Sequence, residues 1–222
     1  MTNQSELVAR AQELFPQVPW RRFVALGDSI TEGIGDSVEG YPDGGWVPMV
    51  GEALRTVRPD FEYVNLGQRY LTTAEIRSTQ LERAIELQPD LVTVVAGGND
   101  MLKEHFDPQI TEDEFDAMVV ALLDTGATVM TFTMFNIFTA GVMTQQVIDM
   151  LAPRFDKLND TVLRVAKRRG LPVVELTPLP ASSDPGIYSK DLQHANMRGH
   201  AIAADAILNG MADLASRLAR SA

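Results

Sequence analysis

The chain reads as one α/β domain, a three-layer α/β/α sandwich around a five-stranded parallel sheet. Three observations carry that expectation. Five short apolar runs (23–27, 63–66, 91–96, 128–135 and 173–176) are mostly continuous rather than alternating, as expected of strands buried on both faces of a parallel sheet. Between them lie segments with apolar residues three or four apart, the period of amphipathic helices. The first three runs close on glycines, at Gly27, Gly67 and Gly97-Gly98, so each stops at a turn.

Each element follows from the same rules. Residues 5–15 predict a short helix with Leu7, Ala11 and Leu14 on one face, within a helical N-terminal extension over 1–20. Phe23–Gly27 is the first strand, and 46–57 the helix after it. Tyr63–Leu66 and the helix 73–87 come next. Leu91–Ala96, rich in Val, is the third strand, followed by a helix over 111–124. Thr128–Phe135 is the fourth strand. The helix 153–169 has a clear stripe of Phe155, Leu158, Val162 and Val165, with Arg154, Lys157, Arg164, Lys167 and Arg168 around it. Gly170 stops that helix and Pro172 follows, a regular ending. Val173–Leu176 is the fifth strand and 197–219 the last helix. With no internal repeat and no low-complexity linker, residues 1–222 form a single domain, long enough for a substantial core.

Composition narrows the function classes. Thirty acidic against nineteen basic residues give a net charge of −11, which repels phosphate backbones and predicts no nucleic-acid partner. There is no cysteine, so disulfides and thiolate metal sites are excluded. No apolar run is long enough to span a bilayer. The first residues lack a basic start followed by an apolar stretch, which predicts a cytoplasmic chain; a secreted chain that had lost its leader would read the same.

Parallel α/β sheets bind ligands beyond the carboxyl ends of their strands. The turns after the first three strands hold Ser29, Gly67 and Asn99, so the fold brings these residues to one edge of the sheet. Ser29 lies in Gly27-Asp28-Ser29-Ile30; its hydroxyl is a nucleophile only with a base beside it, and its N–H faces a developing anion if a helical turn starts there. Gly67 offers a bare backbone N–H, and Asn99 a side-chain amide, to the same anion. The plainer alternatives are a Ser that caps a turn, a strand-ending Gly and an Asn helix cap. Asp100 is read as a structural partner that fixes its loop.

Of three histidines, His194 has Asp191 three residues before it, between the fifth strand and the last helix. A short turn lets that carboxylate hold one ring nitrogen while the other faces outward, the pairing a serine nucleophile needs. An Asp-led turn with a surface His is the alternative. His200 is read as structural, with a reserve role as base, and His105 as solvent-facing. No two histidines stand at metal-ligand spacing beside a carboxylate, so no metal is predicted. The glycines at 33–35 and 40–45 match neither the dinucleotide fingerprint nor the lysine-containing nucleotide loop. The Met-rich stretch 130–150 is read chiefly as core, with lining of an acyl pocket or a lid as the alternatives and 136–145 the better candidate for a lid.

Four blocks in order, Gly27-Asp28-Ser29-Ile30, Asn65-Leu66-Gly67, Gly97-Gly98-Asn99-Asp100 and Asp191-Leu192-Gln193-His194, resemble the SGNH (GDSL-type) hydrolases. Gly33, Asn159 and Arg164 also resemble family positions, and the resemblance spans about 22–210. It implies a flavodoxin-like fold and an esterase-type serine hydrolase acting on a small-molecule ester without a cofactor. Ser29 would then be nucleophile and first oxyanion donor, Gly67 and Asn99 the second and third donors, His194 the base and Asp191 its partner. Ala195 stands where the family often has Pro, and Gln68-Arg69 follow Gly67 where small residues are common. Carbohydrate O-deacetylase, lysophospholipase and thioesterase activities would use the same site. A non-enzymatic flavodoxin-like module binding a small ligand is the competing class, and it leaves the pairing of Asp191 with His194 unexplained.

Overall fold

A computed structural model describes residues 3–221. In chain order the elements are α1 (Gln4–Leu14), β1 (Arg22–Gly27), the single turn α2 (Ser29–Glu32), α3 (Trp46–Val57), β2 (Glu62–Asn65), α4 (Thr73–Glu86), β3 (Leu91–Val95), α5 (Gly98–Leu102), α6 (Pro108–Leu123), β4 (Thr128–Thr133), α7 (Gln145–Arg169), β5 (Val173–Glu175) and α8 (Met197–Ser221). The five strands form one parallel sheet in the order β2-β1-β3-β4-β5. β1 lies second in that order, with Phe23 beside Tyr63 of β2 and Leu91 of β3.

Strand periodicity of two sends successive side chains to opposite faces, and both faces are apolar. Phe23 and Ala25 join a core with Trp46, Leu54, Phe132 and Leu208, beneath α1, α3 and α8. Val24 and Leu26 join the other core, with Ile76, Phe115, Met118 and Val162 of α4, α6 and α7. The three layers and the parallel sheet are as expected. Leu7 and Ala11 of α1 are fully buried in the first core. Among the described residues no helix is long and apolar enough to cross a membrane.

Two boundaries differ in a way that shapes the site. α7 begins at Gln145, eight residues before the predicted start, and carries Pro153 inside it. Proline removes one intrahelical donor, and the clear apolar stripe begins only after it, at Phe155. β4 ends at Thr133 rather than Phe135; Met134 and Phe135 leave the sheet and line cavities beside its carboxyl edge. α6 starts at Pro108 because Asp107 caps it, accepting from the Gln109 N–H, and proline is preorganised for the first helical position.

Candidate active site

The carboxyl end of β1 is fixed before Ser29 begins. Gln80 of α4, buried with its apolar neighbours, donates through Nε2 to the Gly27 carbonyl (2.8 Å) and accepts from the Gly27 N–H (2.9 Å). Asp28 then caps α2, its Oδ1 accepting from the Ile30 N–H at 3.0 Å. Ser29 is therefore the first helical residue, and its N–H is one of the first-turn donors with no partner inside the helix. Gly33 closes the turn at φ +92°, where a Cβ would meet the Gly44 carbonyl at 2.3 Å. Trp46 Nε1 donates to the Ile30 carbonyl and ties the turn to α3.

Gly67 lies flush against this turn: a Cβ there would sit 2.3 Å from the Glu32 nitrogen. Asn65 staples the two segments, its Nδ2 donating to the Thr31 carbonyl (2.7 Å) while its Oδ1 accepts the Gly67 N–H (2.9 Å). Asn99 sits in α5, and its Nδ2 donates to the Leu71 carbonyl at 2.9 Å, with Asp28 Oδ2 3.5 Å away. Asp100 anchors α5 to α4, accepting from the Thr73 N–H and hydroxyl at 2.8 and 3.0 Å.

The loop before α8 delivers the imidazole. Asp191 Oδ1 accepts from the Gln193 and His194 N–H groups, at 2.9 and 3.1 Å, and Oδ2 lies 2.7 Å from His194 Nδ1. Leu192 takes φ +55° to make that turn, an uncommon conformation for a branched side chain. A bridge between Tyr188 and Ala195 closes the loop, and Met197 N–H reaches the Asp36 carbonyl. Ala195, where the family often has Pro, thus sits in a pinned strand pair, and its carbonyl would lie 2.2 Å from a Cβ on Gly35.

His194 Nε2 lies 2.7 Å from Ser29 Oγ. Since the carboxylate at Nδ1 accepts, Nδ1 carries the ring proton and Nε2 faces the serine hydroxyl with its lone pair. The hydroxyl, 165 residues earlier in the chain, donates to it. Ser29 and His194 are mostly shielded, and Asp191 is about half exposed. Partial burial works to raise the Asp191 carboxyl, but hydrogen bonds from the His194 ring and from the Gln193 and His194 N–H groups outweigh it and hold its pKa below the ordinary value.

Two buried titratable groups adjoin this array. Burial pushes the Asp28 carboxyl up to about 6, against the opposing Ile30 N–H and His194 charge. Sequence reasoning gave Asp28 no role beyond its turn; a carboxylate between Gly27 and Ser29 at a strand end was the available signal. Burial pushes His200 down to about 4. Its Nε2–H donates to the Ile34 carbonyl (3.0 Å) and its Nδ1 has no partner, so it stands as a neutral, structural histidine. His105 is exposed. Gln80 was missed as well; it is the one polar residue on the Ile76–Ala84 face of α4, and that break in the stripe was the clue.

A cleft of about 100 Å³ opens over Ser29 and Asn99, with Met101, Met134, Phe138 and His194 in its walls. The 136–145 segment contributes Ile137, Phe138 and Met143 to it, in and just after a 3-10 turn over Ile137–Thr139. Of the other methionines, Met130 is core and Met150 is exposed. Among the described residues no group of three or more His, Cys, Asp or Glu side chains could hold a metal.

A model of the GDSL-like lipase/acylhydrolase family matches residues 25–202. Among solved structures, this chain is similar to an α/β hydrolase from the metagenome of Lake Arreo in Spain, at 23% identity and a TM-score of 0.72, over 89% of this chain and 97% of that one. The acetylxylan esterase Axe2 of Geobacillus stearothermophilus is 22% identical, with a TM-score of 0.70 over 86% and 94% of the two chains. A lipase/acylhydrolase of Enterococcus faecalis is 19% identical, with a TM-score of 0.69 over 87% and 96%. At these identities the likeness speaks to the fold. No curated protein matches the chain.

Proposed function

The chain belongs to the GDSL-like lipase/acylhydrolase family, and we propose that it hydrolyses a carboxylic ester through an acyl-enzyme on Ser29. The observation that carries this reading is the unbroken array from Asp191 Oδ2 through His194 to Ser29 Oγ, with both contacts at 2.7 Å.

The steps follow from that array. Ser29 Oγ attacks the ester carbonyl carbon as its proton passes to His194 Nε2, and Asp191 steadies the imidazolium so formed. The oxyanion rests against the Ser29 N–H, the Gly67 N–H and Asn99 Nδ2. Collapse of the tetrahedral species breaks the bond to the alcohol oxygen, which leaves with the proton from Nε2. A water then attacks the acyl carbon while Nε2 takes its proton. The second collapse returns that proton to Ser29 and releases the acid.

The resting hydrogen bonds define what the oxyanion must replace. Gly67 N–H is held by Asn65 Oδ1, and one Asn99 N–H by the Leu71 carbonyl. An anionic oxygen forms stronger, charge-assisted bonds than a neutral amide oxygen, so it draws the Gly67 donor from Asn65 as negative charge develops.

The test is labelling of the active protein by a fluorophosphonate, with peptide mapping of the adduct. The expected site is Ser29, with loss of both label and ester turnover in Ser29→Ala while the circular dichroism spectrum is unchanged. Full ester turnover in that variant would place the chemistry elsewhere.

A further inference from the structure

We infer that the acid half of the substrate is an aliphatic acyl chain several carbons long, rather than the acetate of an acetylated sugar; this rests on the ester-hydrolase reading above. The cleft that holds Ser29 and Asn99 is also walled by Met101, Leu102, Met143 and Leu151, whose side chains carry only thioether and alkyl groups. Polar groups in that cleft (Asp28, Ser29, Asn99, Gln193 and His194) cluster at its reactive end. An acetyl group carries a single methyl carbon and would leave most of that apolar wall facing water. A hydrocarbon chain needs only the apolar wall that is present.

The direction of the chain follows from the chemistry. The alcohol oxygen has to face His194 Nε2 to receive its proton, so the alcohol lies on the imidazole side. A second cavity of about 70 Å³ shares Ile30, Met134, Ile137, Gln193 and His194 with the first, yet includes neither Ser29 nor Asn99. The acyl carbon is bonded to Ser29 Oγ in the intermediate, so its chain takes the cleft that Ser29 and Asn99 line. Three methionines in its lining, Met101, Met134 and Met143, can repack around chains of different length. The net charge of −11 adds a long-range field against substrates with anionic head groups.

A chain-length series of p-nitrophenyl esters, acetate to dodecanoate, tests this beside an acetylated xylo-oligosaccharide. Burying one methylene changes binding by roughly fourfold, so kcat/KM is expected to rise at least tenfold from acetate to hexanoate. Leu151→Trp, and separately Met143→Trp, should fill the cleft and lower the ratio of hexanoate to acetate kcat/KM about tenfold or more. Two positions, both partly exposed, guard against a variant that does not fold. Fastest turnover of acetate or of the acetylated sugar, with a chain-length profile untouched by both substitutions, would overturn the inference and leave the hydrolase standing. Absence of Ser29-dependent cleavage of every ester would instead overturn the reading beneath it.

Discussion

Asp28 and His200 impose opposite pH dependences on stability, and each conceals the other. Asp28 is buried, and its carboxyl is raised from 3.8 to about 6, burial being the largest cause. Between those values the folded state keeps a proton that the unfolded chain has lost, so stability falls as pH rises through the window. The displacement is roughly two pH units, worth about 3 kcal/mol. His200 is lowered from 6.5 to about 4, again chiefly by burial. Here the unfolded chain binds the proton first, so stability rises with pH over the window, by about 3 kcal/mol. From about pH 4 to 6 the two slopes nearly cancel. Asp28→Asn keeps an oxygen for the Ile30 N–H but cannot ionise. His200→Gln keeps an N–H for the Ile34 carbonyl but cannot take up a proton near neutrality. Thermal melts followed by circular dichroism from pH 4 to 7 are the assay. Relative to the parent, Asp28→Asn should gain stability as pH rises and His200→Gln should lose it. At roughly 2–4 °C per kcal/mol for a chain of this size, each Tm difference should swing by about 6–12 °C across the range. Melting curves of Asp28→Asn that track the parent within a degree at every pH would refute the reasoning.

Two further substitutions probe the anion pocket. Asn99→Ala should lower kcat by roughly 10²–10³ with little change in KM, since the amide is needed only as charge develops; steady-state kinetics on a p-nitrophenyl ester read both. Asn65→Asp should hold the Gly67 N–H with a charged oxygen that competes with the oxyanion, lose the donor to the Thr31 carbonyl, and lower kcat by about tenfold or more; an unchanged kcat would mean that neither Gly67 nor this staple takes part.

The continuous apolar runs were readable because both faces of this sheet are covered. Phe23 and Val24 face opposite cores, so neither position could be polar. Ser29 and Asn99 were readable for a related reason: a residue just beyond a parallel strand can only lie at the carboxyl edge. The His194 loop was half legible. A spacing of three residues suggests a turn, but the ring meets Asp191 Oδ2 only because Leu192 takes φ +55°, a conformation that no local preference for leucine announces. It is imposed from outside, by the Tyr188–Ala195 bridge and the backbone contacts to Asp36. The first two turns of α7 were hidden by Pro153, a helix-breaking residue that tertiary packing overrides.

What local reading could not reach was how the strand ends are fixed relative to one another. Gln80 holds Gly27 by two hydrogen bonds, Asn65 joins the β2 end to α2, and Asp100 joins α5 to α4. Each is a polar side chain bonded to backbone far away in sequence, so neither periodicity nor turn chemistry reveals its partner. In the proposed reaction their effect is on the barrier. An anion pocket lowers it only if its donors are already in place, because reorganising dipoles during the reaction forfeits the gain. Here the segments that carry the proposed donors are anchored through different strands and helices, so the oxyanion has to draw the Gly67 N–H from Asn65 without moving a strand end. The same links explain why Asp28 stays buried beside Asn99 despite its raised pKa: capping α2 with the residue before Ser29 places a carboxylate inside the pocket's wall. The strain of burying that carboxylate is thus tied to the placement of the nucleophile.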